Sequence, residues 1–350
     1  MRRTFQMRAR YQKADISVTC AQDSKNKNHS HYDVSVSVPI TVVVSPRPKE
    51  VLEVPFWAEG ASFIFDQTSA MTVAEGNAPS DGRVYASEPE VFFRNRDCQC
   101  CAIREDLVCS VVRATRRAQV PNQIVIFLDP TRCDVLVAIS TILSSVEITR
   151  RSSLDAVLVH VDAAELATRL TTGGEVIDDS LLPAIAVADR FILGNCDNVL
   201  PHIEQQLRAE LMGRSGFAKE VFGAGERCGD GGRLQAWHVA PEVRSVEADH
   251  PGGLSTVVLR ADQPLDEDAI NEWFDWMIAS HASRLFRLQG TVSVQGNKER
   301  TCCHGVLSFA GSHAESTESV TCSSESVIAI SGVGLDGDEL MARFAETIAS

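Results

Sequence analysis

The sequence predicts an α/β protein, with a doubly wound, mostly parallel sheet followed by a second, smaller α+β domain. Three observations carry this. Strand-like runs, such as the nearly all β-branched 38–44, alternate with segments of helical period up to about residue 222, the pattern of parallel strands with crossover helices. A stretch rich in Gly, Asp and Glu and punctuated by Pro, 223–253, then interrupts the alternation. The last hundred residues return to strands and two amphipathic helices. With 350 residues, 44% hydrophobic and 23% charged, the chain is large enough for two cores. The expected division is a flexible basic extension at 1–33, a first domain at 34–222, a linker at 223–253 and a second domain at 254–350.

Taken in order, 38–44 reads as a strand buried on both faces. It leads into Ser45-Pro46-Arg47-Pro48-Lys49-Glu50. Residues 61–65 and 83–85 read as short strands, 91–93 as another, and 102–118 as a helix in which Ile103, Leu107, Val108, Val111 and Val112 recur at helical spacing. Arg113, Arg116 and Arg117 suit that helix's C-terminus. Strands follow at 123–128 and 156–162, separated by a helix at 134–144. His160, inside the second of these strands, reads as a satisfied core histidine. Residues 185–197 form an apolar run ending in Gly194-Asn195-Cys196-Asp197, and 200–211 is an amphipathic helix with Ile203, Leu207 and Leu211 on one stripe. In the second domain, strands are expected at 254–260, 285–292, 306–309 and 326–330. One helix carries Ile270, Trp273, Phe274 and Met277; another starts after Asp336 and carries Leu340, Phe344 and Ile348.

Composition excludes several classes of function. The formal net charge is −14, so bulk electrostatics disfavour nucleic acid and acidic membranes as partners. Nowhere do eighteen apolar residues run together, which argues against a membrane-spanning helix. Eleven unevenly spread cysteines do not resemble a disulfide framework, and a reducing, cytoplasmic setting is expected. Residues 1–33 carry Arg2, Arg3, Arg8, Arg10 and Lys13 against few acids; they fit a disordered arm, a transit peptide or an upstream extension, the arm being the default.

The stretch around Cys98-Gln99-Cys100-Cys101 is the chemical centre of the sequence. Three thiols within four positions do not share one apolar pocket, so packing does not explain them; a soft metal ion does. A strand-to-helix turn favours thiolate, the form that binds zinc, and three sulfurs leave one tetrahedral position open for exchange. Cys109, about 12 Å along the helix, reads as a core residue, and Cys133 is the one candidate for a fourth sulfur. Cys302-Cys303-His304, with His313 and Cys322, is a second ligand-rich group, but its spacing fits no zinc template; sheet-edge cysteines are the plainer reading. The loop after 38–44 lacks what a phosphate cradle needs. Pro46 and Pro48 remove N–H groups, Glu50 adds negative charge, and no Gly-Lys dipeptide occurs in the chain. Lys49 reads as a solvated loop lysine, and Asp129, before Pro130, as a turn aspartate.

Cys98-x-Cys100-Cys101 followed by Ala-Ile-Arg-Glu-Asp-Leu resembles the Gly-Cys-x-Cys-Cys-(Thr/Ser)-(Ile/Val)-Arg-x-Asp-Leu signature of the CobW-like GTPases, proposed metallochaperones for zinc or cobalt. Asp97 stands in place of the usual glycine. The resemblance extends to a strand ending in Val161-Asp162-Ala163, to Ala188-Asp189-Arg190 and to the C-terminal hundred residues, including 285–290 and Gly332-Val333-Gly334-Leu335-Asp336. It implies a P-loop-NTPase-like first domain and a CobW C-terminal-like second one. It also implies Zn²⁺ at Cys98, Cys100 and Cys101, with Co²⁺ as the alternative ion, and transfer to a client metalloprotein through the C-terminal domain. In the family, GTP gates that transfer. Here the phosphate loop is replaced, Phe127 takes the position of a γ-phosphate-sensing Glu, and Gly194 and Asn195 replace the Asn and Lys of the guanine element. Asn195 and Asp197 are what remains for nucleotide binding, and the degraded motifs speak against GTP/Mg²⁺. The alternative function is a pseudo-GTPase binding module without hydrolysis. A thiol redox sensor ranks third, since adjacent Cys100 and Cys101 pair only with strain.

Overall fold

The computed structural model describes residues 37–47, 50–51, 60–66, 90–92, 99–172, 177–223, 236–237, 242–248, 253–297, 300–306, 309–314 and 325–349, with 66, 90–92, 99–103 and 309–314 described by their backbone alone. The expected strand at 83–85, Lys49, Cys98, Cys322 and the 1–33 extension lie outside the described residues.

Seven strands form the first sheet: β1 (Val38–Val44), β2 (Ser62–Asp66), β3 (Glu90–Phe92), β4 (Ile124–Leu128), β5 (Ser152–Asp162), β6 (Arg190–Gly194) and β7 (Glu220–Gly223). Their order is β3-β2-β4-β1-β5-β6-β7, and every pairing is parallel. All seven residues of β1 are buried, as its unbroken run of apolar and β-branched side chains requires of a central strand covered on both faces. Helices α1 (Gln99–Thr115), α2 (Val135–Ser144), α3 (Val146–Thr149), α4 (Ala163–Thr171), α5 (Leu182–Val187) and α6 (Pro201–Arg214) link the strands. α2 starts where Asp134 accepts a hydrogen bond from the Val137 N–H at 3.0 Å, an N-cap in the expected place.

The second sheet is antiparallel throughout, in the order β11-β10-β9-β12-β8. Its strands are β8 (Leu254–Ala261), β9 (Leu285–Val292), β10 (Thr301–Val306), β11 (Phe309–Ala314) and β12 (Ser326–Val333). Leu259, Leu288, Cys303, Ile328 and Ile330 face one core, closed by α7 (Glu267–His281) and α8 (Gly337–Ala345) through Ile270, Trp273, Phe274, Met277, Leu340 and Phe344. The residues expected to form a single strand at 306–309 instead straddle the end of β10 and the start of β11.

The opposite face of this sheet joins the first domain through apolar residues, Leu254 and Val306 among them, and through one buried cation. Arg287, next to Leu288 and therefore pointing the other way on β9, is 1% exposed. It donates to Asp189 Oδ1 at 2.7 Å and to the Val187 carbonyl at 2.9 Å. Its guanidinium lies between the Phe217 and Trp237 rings, 4.2 and 4.1 Å from their centroids. The other Asp189 oxygen accepts from the Val157 N–H at 2.7 Å and from Trp237 Nε1 at 2.9 Å. Trp237 belongs to the stretch that reads as a linker, yet it is 2% exposed; nearby, Arg244 donates to the Ser215 and Ala218 carbonyls. The aromatic ring thus anchors Ala236 and Trp237, at least, of the expected linker against the folded domains.

Removing one member of a buried, hydrogen-bonded ion pair strands the other, at a cost of about 3–5 kcal/mol. Arg287→Ala is therefore expected to lower the stability measured by urea unfolding by that amount. Arg260→Ala, at an exposed ion pair with Glu325, should change it by about 1 kcal/mol or less.

Candidate functional site

Because the strands of the first sheet are parallel, β1, β5 and β6 all end on one edge, where Ser45, Asp162 and Gly194 lie close together. The register pairs Val44 with Val159 and Asp162 with Gly194. The chain leaves β1 toward β2 and β3, and later crosses to β5 on the other side, so β1 marks the reversal point where open α/β sheets form their ligand crevice.

That crevice is filled by the chain's own side chains. Ser45 is fully buried; its Oγ accepts from the Arg47 N–H at 2.9 Å and lies 3.0 Å from His160 Nδ1. The Arg47 guanidinium reaches across to the Asp162 carboxylate and to Glu50 Oε1 at 3.4 Å. Asp162 caps α4 by accepting from the Glu165 N–H at 2.9 Å, while its Oδ2 accepts from Asn195 Nδ2 at 2.7 Å. Asn195 adopts φ 55°, the one positive φ outside glycine among the described residues, and asparagine tolerates it better than most residues. Asp197 sits exposed in the single turn Cys196–Asn198.

His160 is buried on β5 with its Nε2 3.5 Å from Glu50 Oε2, and neither of these two atoms has a hydrogen-bond partner. The histidine expected to be a satisfied core residue is thus half satisfied. The sequence could not show this, because its neighbour in the crevice comes from a loop 110 residues earlier. Gly194 makes room for the ring: a Cβ there would stand 2.4 Å from His160 Nε2. Burial pushes the imidazole down to about 4, outweighing the pull of Asp162 in the other direction. For Asp162, burial is opposed and overcome by hydrogen bonds from the Glu165 N–H and Asn195 and by the Arg47 charge, which hold its carboxyl below the usual range. At neutral pH the crevice therefore holds a neutral imidazole and an ionised aspartate.

A triphosphate entering here would meet carboxylates rather than a cradle. The Arg47 N–H, which a phosphate would need, points inward to Ser45. At the end of β4, Phe127 is buried and stacks on Phe65 at 5.0 Å, and Asp129 accepts from the Thr131 N–H and hydroxyl, the turn role expected of it.

The thiols lie farther along the same edge. β3 ends at Phe92 and α1 begins at Gln99, so Cys100 and Cys101 occupy the first helical turn; Cys98 falls between these elements, outside the described residues. Three strand spacings separate β3 from β1, about 14 Å. Among the described side chains, no three His, Cys, Asp or Glu residues gather in a way that could hold a metal. Cys109 is exposed, correcting its assignment to the core. α1 buries the stripe of Leu107, Ser110, Val111 and Ala114, and Cys109 lies about 100° from Ser110 on the helix. Cys133 is buried in the first core. Cys302 and Cys303 are buried on β10, which runs between β9 and β11 and is not a sheet edge. Burial, with Cys302 beside it, pushes the Cys303 thiol well up, and a protonated thiol is a poor ligand.

The His160 shift fixes a pH dependence. Above pH 6.5 the ring is neutral folded or unfolded. Below it the unfolded chain takes up a proton that the folded chain refuses until about pH 4. Stability is expected to fall across that window by up to about 3 kcal/mol. Urea unfolding of the wild type and His160→Gln between pH 7 and pH 4 should show a smaller loss in the variant.

Comparison with known proteins places these sites in context. Residues 73–215 match the CobW/HypB/UreG nucleotide-binding domain, and residues 254–348 match the cobalamin synthesis protein cobW C-terminal domain. β1 and the loop after it precede the first match. No curated protein matches significantly. Among solved structures, the Zn(II)-bound YjiA GTPase from E. coli superposes with a TM-score of 0.61 at 16% identity, covering 89% of this chain and 99% of that one. A Zn(II)-bound triple mutant of YjiA GTPase gives 0.62 at the same identity and coverage. With both domain models matched in order along one chain and the fold shared over 89% of it, the protein is a member of the CobW-like family.

Proposed function

We propose that this protein holds Zn²⁺, or alternatively Co²⁺, at Cys98, Cys100 and Cys101 and passes it to a client metalloprotein by ligand exchange. The observation that carries the reading is the position of Cys100 and Cys101 in the first turn of α1. There, unpaired N–H groups and the helix dipole favour thiolate. A three-sulfur site retains an open position through which an incoming ligand can attack, unlike a closed four-ligand structural site. The two YjiA structures named above are Zn(II)-bound, which supports zinc as the ion. The C-terminal domain is the surface proposed for the client.

A second reading concerns the gate. The Arg47–Asp162–Asn195 cluster fills the crevice in which a nucleotide's phosphates would sit, and this favours a pseudo-GTPase in which metal transfer no longer follows a GTP cycle.

Metal analysis of the purified protein should find tightly held zinc that is lost when Cys98, Cys100 and Cys101 are all replaced by Ser; equal zinc in both would refute the site. Thiols must lose protons to bind, so zinc affinity is expected to fall as pH is lowered from 8 to 6, read by competition with a chromophoric chelator. Calorimetric titration of GTP with Mg²⁺ should give no heat of binding, and micromolar affinity would restore the GTPase reading.

A further inference from the structure

His160 and Glu50 pose a problem that neither the thiol site nor the lost nucleotide explains. Two strong ligand atoms, His160 Nε2 and Glu50 Oε2, are buried, lack hydrogen-bond partners and face each other at 3.5 Å. Buried polar atoms are normally satisfied, and an exception in a native fold points to a strained group, a water or an ion. The spacing is suggestive. With metal–nitrogen and metal–oxygen bonds of about 2.0–2.2 Å, atoms 3.5 Å apart subtend about 115° at a shared ion, near the tetrahedral angle.

As folded, no three ligand side chains gather here, so the rest of a coordination sphere has to come from a group that can turn toward the pair. His160 and Asp162 alternate on β5 and share a face. Asp162 Oδ1 is committed to the α4 cap, but Oδ2 is held by Arg47 and Asn195 side chains, both of which can let go without breaking secondary structure. Gly194 keeps the space beside Nε2 clear of a Cβ. The Glu50 side chain is 34% exposed, which gives an entry path.

We propose that His160 Nε2, Glu50 Oε2 and Asp162 Oδ2 form a second site for a divalent transition ion, separate from the thiols, and that Arg47 is its built-in stand-in. Without metal, the guanidinium bridges Glu50 and Asp162 and neutralises one of the two carboxylates. When the ion enters, Arg47 swings to solvent, Asp162 Oδ2 turns to the metal, and the two positions left by His160 and Glu50 become bonds. Solvent on the Glu50 side supplies the fourth ligand. This nitrogen and oxygen set differs in softness from the three thiols, so the same edge of the sheet would carry one soft and one borderline site.

The test uses Co²⁺ as the probe and the full chain with Cys98, Cys100 and Cys101 replaced by Ser, so that failure of the thiol site and failure of this one are distinguishable. Titration should give one equivalent of binding, with weak visible d–d absorbance and no sulfur-to-cobalt charge-transfer band. Adding His160→Gln should weaken it at least tenfold. Adding Arg47→Gln, at a position 44% exposed where folding is not at stake, should tighten it several-fold by removing the competing cation. Circular dichroism of each variant checks the fold. Absence of cobalt binding in the thiol-free chain, or affinity unchanged by both His160→Gln and Arg47→Gln, would overturn the proposal.

Discussion

The contact between Arg287 and Asp189 is the constraint on which the rest of the molecule depends. Asp189 sits at the mouth of β6 and collects donors from three separate parts of the chain: the Val157 N–H on β5, the Trp237 indole and the guanidinium from the second domain. Burying a charge so deeply is tolerable only when it is paired, and here the carboxylate takes bonds on both oxygens while aromatic rings cover a guanidinium whose Nε alone has no hydrogen-bond partner. Such a joint sets direction as well as strength. It fixes how β5 and β6 lie beneath the second sheet, and thereby where their far ends present His160, Asp162 and Gly194.

At those far ends, the inherited scaffold has been put to a different use. The parallel sheet still gathers its loops at the reversal point beside β1, and the main chain there still bends toward a crevice. What occupies it is internal: a guanidinium where an anion's counter-charges would be, a serine whose acceptor turns an N–H inward, and an asparagine held in a left-handed conformation so that its amide can reach Asp162. The edge bearing Cys100 and Cys101 keeps its three cysteines, with Asp97 and Ala102 as the departures beside them. The thiol-bearing turn and the filled crevice draw on different strands of the sheet, so a change at one leaves the backbone of the other in place.

Much of the fold was legible in the residues. The β-branched run of β1, the capping aspartates before α2 and α8, and the Trp273–Phe274–Met277 stripe each state a local preference that the tertiary structure honours. Where the reading failed, the cause was non-local. β7 is short, half polar and paired only along one side. The hairpin between β10 and β11 has no turn dipeptide strong enough to divide it. Trp237 is anchored by partners from three distant segments. The crevice follows the same rule. Arg47, Glu50 and His160 look unrelated in the sequence; only the parallel register, which sets β1 beside β5, makes them neighbours. A histidine inside a valine-rich strand and a glycine closing another were the available signals, and neither identifies its partner.

The close fit of Gly194 against the His160 ring carries a consequence for how this lineage can change. The family's guanine element bears an asparagine at this position, and any side chain there would begin at a point already taken by the imidazole. A larger residue at Gly194 therefore requires the imidazole to move, and moving it disturbs the contact of its Nδ1 with Ser45 Oγ. The two positions are coupled, so a substitution at Gly194 is felt first at His160 and through it at Ser45.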